Sequence, residues 1–108
     1  MGIDELLQFI DLESERLNSR FPTLQGRERI LARAVKLNEE VGELCSEVLA
    51  SSGDQRKEKL ANHNEQTLQA EFADVVITTL LLAKSMNVDI QKALEVKIEA
   101  INKRYNDI

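Results

Sequence analysis

The stretch ERILARAVKLNEEVGELCSEV, residues 28–48, decides the fold. Its apolar residues Ile30, Ala34, Leu37, Val41, Leu44 and Val48 step by 4, 3, 4, 3 and 4. Side chains three and four apart stack on one face of an α-helix, so these six form a continuous seam for packing on another helix. The helix is expected from about Gln25 to Ser51. Ser51-Ser52-Gly53 ends it, with glycine placed to take the left-handed position just past the last turn.

Three further helices flank this one, with no repeat and no low-complexity segment. The first is expected from about Asp4 to Asn18, where Leu6, Leu7, Phe9, Ile10 and Leu17 recur at helical spacings. Phe21-Pro22-Thr23 breaks it, since proline cannot continue a helix and restricts the residue before it. Residues 54–64 are polar and charged and read as a loop. A third helix is expected from about Glu65 to Met86, stopped by Asn87. Asp89 then caps a fourth from Ile90 to about Tyr105, with Ile90, Leu94, Ile98, Ile101 and Tyr105 as its apolar stripe.

Composition agrees with a single all-α domain over residues 1–108: 43% hydrophobic, 31% charged, 4% aromatic, one proline and four glycines. A β-sandwich or barrel would carry more turn residues and aromatics. With 14 Lys and Arg against 19 Asp and Glu, the net charge is −5, which disfavours sequence-independent binding to nucleic acid or an anionic membrane. The one cysteine, Cys45, excludes an intrachain disulfide and is expected as a buried small hydrophobe. The longest apolar run, Val75 to Ala83, is far short of the roughly 20 residues of a spanning helix, and no signal peptide is visible. A cytoplasmic protein is expected.

The third helix is apolar nearly all round from Phe72 to Ala83, so it should be surrounded by protein. A bundle of four thin helices cannot enclose one of its own members on every side. The expectation is therefore a homo-oligomer whose subunits pack across this helix.

Acids lie beside the apolar seams. Glu40 and Glu43 are three apart on the second helix, with Glu47 four further on and Glu39 one position round. Glu71 and Asp74 repeat the three-residue spacing on the third helix, leading into the segment expected to be buried, where an unpaired charge is costly. Glu43 lies about eight residues before the end of one helix and Glu71 about six after the start of the next. At about 1.5 Å per residue, an antiparallel hairpin brings the two pairs to similar heights. Four converging carboxylates repel, so they must protonate or bind cations. All-oxygen ligands favour a hard cation, Mg²⁺ or Mn²⁺. A ferritin-like di-iron site needs Glu-x-x-His pairs, and the single histidine, His63, lies in the polar loop with no glutamate three residues before it. One His and one Cys far apart also argue against zinc, and His63 is expected to be solvated.

Phosphate would need basic residues as well. Lys97, Asn102, Lys103 and Arg104 lie towards the end of the fourth helix, where the helix dipole alone would favour cations. Lys36 is one turn before Glu40, placed either for phosphate or for an ordinary ion pair.

With Glu39-Glu40-Val41-Gly42-Glu43-Leu44, Glu71-Phe72-Ala73-Asp74-Val75 and Lys97 followed by Asn102-Lys103-Arg104-Tyr105, the sequence resembles the MazG-like family of all-α nucleotide pyrophosphohydrolases over about residues 28–106. The resemblance implies a four-helix MazG-like bundle that oligomerises through its helices, as a homodimer or homotetramer. It implies Glu40, Glu43, Glu71 and Asp74 as Mg²⁺ ligands, and Glu39 as a catalytic residue that holds a further metal or orients the attacking water. Lys97, Asn102 and Arg104 match the tail that contacts phosphates in the family, sometimes from a neighbouring subunit, and Lys36, by its place one turn before Glu40, is a further substrate-binding candidate. The reaction implied is hydrolysis of a nucleoside triphosphate to monophosphate and pyrophosphate, for removal of surplus or non-standard nucleotides. Relatives that grip a pyrimidine often use tryptophan; this chain has none, and Phe21 stands either for stacking or as a core or hinge residue, which leaves the base preference open. Two alternatives stand beside this reading: hydrolysis of a phosphoribosyl-linked ATP on the same fold, and a non-enzymatic helical oligomerisation or adaptor module.

Overall fold

A computed structural model describes residues 1–54 and 57–106. The chain is all-α, with four long helices: α1 (Ile3–Arg20), α2 (Gly26–Ser51), α4 (Glu65–Ser85) and α5 (Ile90–Asn106). A six-residue helix, α3 (Lys57–Asn62), occupies part of the stretch expected to be loop; residues 55 and 56 lie outside the described residues. Lys57, Leu60 and Ala61 are strong helix formers, which accounts for the extra turn.

The stops act through backbone chemistry. Gly53 sits at φ 75°, its N–H donates to the Ala50 carbonyl at 3.0 Å, and that of Asp54 reaches Leu49 at 2.8 Å. Asn87 does the same after α4 at φ 57°, with Val88 N–H donating to Ala83 at 3.0 Å. Both ends are the paired 6→1 and 5→2 closure that satisfies carbonyls a helix terminus leaves over. Asn64 opens α4 with a reciprocal cap, its side chain accepting from Thr67 N–H at 2.9 Å while Thr67 Oγ1 accepts from Asn64 N–H at 3.0 Å. Asp89 Oδ1 accepts from Lys92 N–H at 3.0 Å and opens α5.

Packing is concentrated in an antiparallel hairpin of α2 against α4, with α1 laid on α4. Ile10, Leu80 and Leu81 are buried at the centre, with Leu6, Leu17, Ile77 and Ile90 packed around them. α5 leaves this body after its first turn: every residue from 92 to 106 is exposed. The radius of gyration is 17.0 Å, against about 13 Å for a compact domain of this length.

Much apolar surface therefore stays open in the single chain. On α4, Phe72 is 52% and Val76 50% exposed, so the helix is covered on the α2 and α1 side alone. Val41 and Val48 of the α2 seam are also exposed, and so is Cys45, contrary to the expectation of a buried thiol. Among the described residues no helix is long and apolar enough to cross a membrane.

Candidate metal centre

The hairpin brings acids from both arms together. One oxygen each of Glu40, Glu71 and Asp74 lies within 4.8 Å of the others. Glu40 is one turn from the seam residues Leu37 and Leu44, and its side chain is only 13% exposed. Glu71 is half-buried and Asp74 is open to solvent. Glu43 is exposed and outside this trio, yet close enough for its charge to act on Glu71. Glu39 points to solvent, 61% exposed, on the neighbouring flank of α2.

Electrostatics single out Glu71. Burial first, then the charges of Glu40 and Asp74, a hydrogen bond with Glu40 and the charge of Glu43 push its carboxyl above the ordinary carboxylate range. Its Oε2 is buried and has no hydrogen-bond partner among the described residues. An orphaned buried oxygen is costly. A cation among the three acids would relieve both the repulsion and the missing partner. The donor set is all oxygen, which fits a hard divalent ion such as Mg²⁺ and not a soft one.

Lys36 is the nearest cation. Its Nζ is 3.2 Å from Glu40 Oε1 and 3.6 Å from Glu39 Oε1, and these carboxylates, Glu40 foremost, hold the ammonium above its usual range. The remaining substrate-binding candidates are not brought here. Lys97, Asn102 and Arg104 are all exposed on α5, the helix that leaves the body, and none lines the groove beside the carboxylates.

Glu47 belongs elsewhere. It accepts from Thr67 Oγ1 at 3.0 Å and meets His63 Nδ1 at 2.5 Å, while His63 Nε2 lies 3.3 Å from Ser51 Oγ. His63 is thus a half-buried tie between the end of α2 and the start of α4, not the solvated loop residue expected from its polar surroundings.

Beside the acids runs a groove of about 540 Å³, to which Glu40 and Asp74 themselves contribute. Its apolar walls include Leu17, Phe21, Leu24, Ile77 and Leu81. Polar groups in it include Asn18, Arg29 and Arg33. Arg33 is 9% exposed and donates to the Leu81 carbonyl at 2.9 Å, Ser14 Oγ at 3.2 Å and Asn18 Oδ1 at 3.2 Å. Burial, and then the charge of Arg29, lower its guanidinium below the usual value. Sequence reasoning missed Arg33 and Asn18, although a signal existed. Arg33 stands three after Ile30 and four before Leu37, a charge on the apolar face itself.

A helical hairpin that gathers carboxylates from both arms around a buried orphan oxygen, beside an apolar groove, defines an all-α protein with a site able to hold a hard cation. The chain belongs to the MazG-like family, which matches residues 32–107. The uncharacterized protein YpjD of Bacillus subtilis (strain 168) is 29% identical over 104 residues, covering 96% of this chain and 90% of that protein. No solved structure matches the chain.

Proposed function

We propose that this protein is a magnesium-dependent pyrophosphohydrolase that converts a ribo- or deoxynucleoside triphosphate and water to monophosphate and pyrophosphate. One observation carries the reading: the buried Oε2 of Glu71, unpartnered among the described residues, within a trio of acids whose oxygens lie within 4.8 Å. MazG-like membership supports this reaction class.

In this reading Glu40, Glu71 and Asp74 would hold Mg²⁺, or Mn²⁺ in its place, and Glu43 would complete the set from the next turn of α2. Held there, such an ion would supply charge neutralisation for the phosphate oxygens and a more electrophilic α-phosphorus. The chain's own residues position the reactants. Glu39 accepts a hydrogen bond from water and aligns its oxygen with the α-phosphorus. The new P–O bond forms as the bond to the α,β-bridging oxygen breaks; pyrophosphate leaves with that electron pair, and the water's proton is released to solvent. Lys36 turns from Glu40 towards phosphate, and the groove excludes water around the nucleoside.

Lys97, Asn102 and Arg104 meet phosphate in an assembly, because within one chain α5 carries them away from the acids. The open faces of Phe72 and Val76 favour a homodimer or a homotetramer. The cellular role is removal of surplus or non-standard nucleotides in the cytoplasm by a single domain, without a nucleic-acid or membrane partner.

The position of attack is tested by turnover in ¹⁸O-water with Mg²⁺. Label in the monophosphate supports attack at the α-phosphorus. Label in pyrophosphate or orthophosphate contradicts it.

A further inference from the structure

We propose that Asn18, fixed by Arg33, makes the groove selective for nucleotides whose base carries an exocyclic carbonyl where its counterpart carries an amino group. The inference rests on the pyrophosphohydrolase reading and names the substrate class of that same site.

The argument begins with Arg33. It is nine-tenths buried, and its hydrogen-bond partners are Leu81 O, Ser14 Oγ and Asn18 Oδ1, none of them charged. These partners come from α1 and α4, so the guanidinium is held from two sides by helices that pack on each other. A guanidinium has donors and no acceptor. The atom of the Asn18 amide that faces it must therefore be the oxygen, which decides an orientation that amide side chains otherwise leave open. The NH₂ of Asn18 is left as a pair of donors with no partner among the described residues.

Asn18 lines the groove that Glu40 and Asp74 also line. A nucleotide with its phosphates at those acids has its nucleoside within the same groove. Along the same wall the groove offers the Asn18 amide, the Arg29 guanidinium and the Glu13 carboxylate, and Glu13 is turned to Arg16 at 3.5 Å. Arg29 already gives Nη2 to the Leu24 carbonyl at 2.6 Å. Thr78 spends its hydroxyl proton on its own helix, reaching Asp74 O at 2.7 Å.

The unspent NH₂ of Asn18 complements a carbonyl oxygen. Hypoxanthine, guanine, uracil and thymine present one; adenine and cytosine present an amino group at the same place. An amino group set against the Asn18 NH₂ leaves donors unpaired on both sides, and sites built this way reject the wrong group strongly. Selectivity thus comes from a buried arginine that touches no base and acts as a positioning residue for one amide.

The test uses matched pairs that differ in one exocyclic group, ITP against ATP and UTP against CTP, with pyrophosphate release measured in Mg²⁺. The full chain is expected to favour ITP and UTP by about tenfold or more in kcat/KM. Asn18→Asp keeps an oxygen towards Arg33 and turns the groove-facing donor into an acceptor. It is expected to bring both ratios to one or below, raising turnover of ATP and CTP, which structural damage would not do. Arg33→Lys is expected to flatten the ratios by releasing the amide. Equal turnover within each pair by the unaltered protein, or ratios that Asn18→Asp leaves unchanged, overturns the inference while the activity stands. No turnover of any triphosphate overturns the activity reading and this inference together.

Discussion

Lys36 Nζ lies 3.2 Å from Glu40 Oε1, so the most enclosed acid on α2 is held by an ammonium that is itself 54% exposed. An i,i+4 pair whose cation stands largely in solvent is worth about 0.3–0.5 kcal/mol. It is easily given up, and Lys36 can exchange a carboxylate for a phosphate at little cost. Lys36→Met is expected to tighten Mg²⁺ binding severalfold, since a competing cation is gone, and to raise KM for the triphosphate about tenfold. Calorimetric titration with Mg²⁺ and steady-state kinetics separate the two effects; KM unchanged would remove Lys36 from the phosphate contacts.

Glu71 sets the pH response of the metal-free protein. Its carboxyl is raised above the ordinary 4.5 in the folded state, so the folded chain binds its proton more readily than the unfolded one. That contribution to stability is complete below the ordinary value and is lost as pH rises through the raised one. Without metal, the melting temperature should therefore fall as pH rises from about 4.5 towards neutrality; with Mg²⁺ the fall should vanish, because the ion stabilises the carboxylate form. Glu71→Gln should remove the dependence and raise the melting temperature of the metal-free protein at neutral pH, because the neutral amide carries no repelled charge. Melting curves across pH with EDTA and with Mg²⁺ check both, and a Glu71→Gln protein still stabilised by Mg²⁺ would contradict the assignment.

Asp74 and Glu43 should differ in degree. Asp74 shares the 4.8 Å trio, whereas Glu43 acts on it from outside. Asp74→Asn is expected to lower Mg²⁺-dependent turnover by at least about 100-fold and Glu43→Gln by about tenfold, with the helical circular dichroism of both intact. Full activity in Asp74→Asn would mean that the site is misassigned.

The open face of α4 predicts an assembly. Light scattering should give a multiple of the 12.2 kDa chain, and Val76→Asp, placed on a half-exposed apolar site, should yield the single chain. Turnover should fall with assembly, because Lys97, Asn102 and Arg104 would then have no neighbouring site to enter. A fully active 12.2 kDa species would remove α5 of a neighbouring subunit from the site.

The helical order was legible from spacing along each helix, and the meeting of acids across the hairpin from the register of two helices. Of the four acids expected, however, only Glu40, Glu71 and Asp74 come within 4.8 Å of one another, and Glu43 stays outside. The Ile30 to Val48 seam, the glycine stop at Gly53 and the Asn87 stop act locally, and the heights of Glu40 and Glu71 follow from the hairpin alone. What spacing does not carry is contact between distant helices. Arg33 reaches Leu81 across 48 residues, and His63 finds Glu47 across 16, so a charge on an apolar face and a histidine in a polar stretch both acquire partners that periodicity could not supply. Nor does spacing say whether α5 folds back. Its apolar stripe reads like that of a bundle helix, yet in the single chain Leu94, Ile98 and Ile101 stay exposed.

The most direct measurement is pyrophosphate and monophosphate release from a panel of ribo- and deoxynucleoside triphosphates, with Mg²⁺ and with EDTA. The account predicts equal amounts of the two products in Mg²⁺ and none in EDTA. Orthophosphate as the product, release that persists in EDTA, or silence across the panel would contradict it.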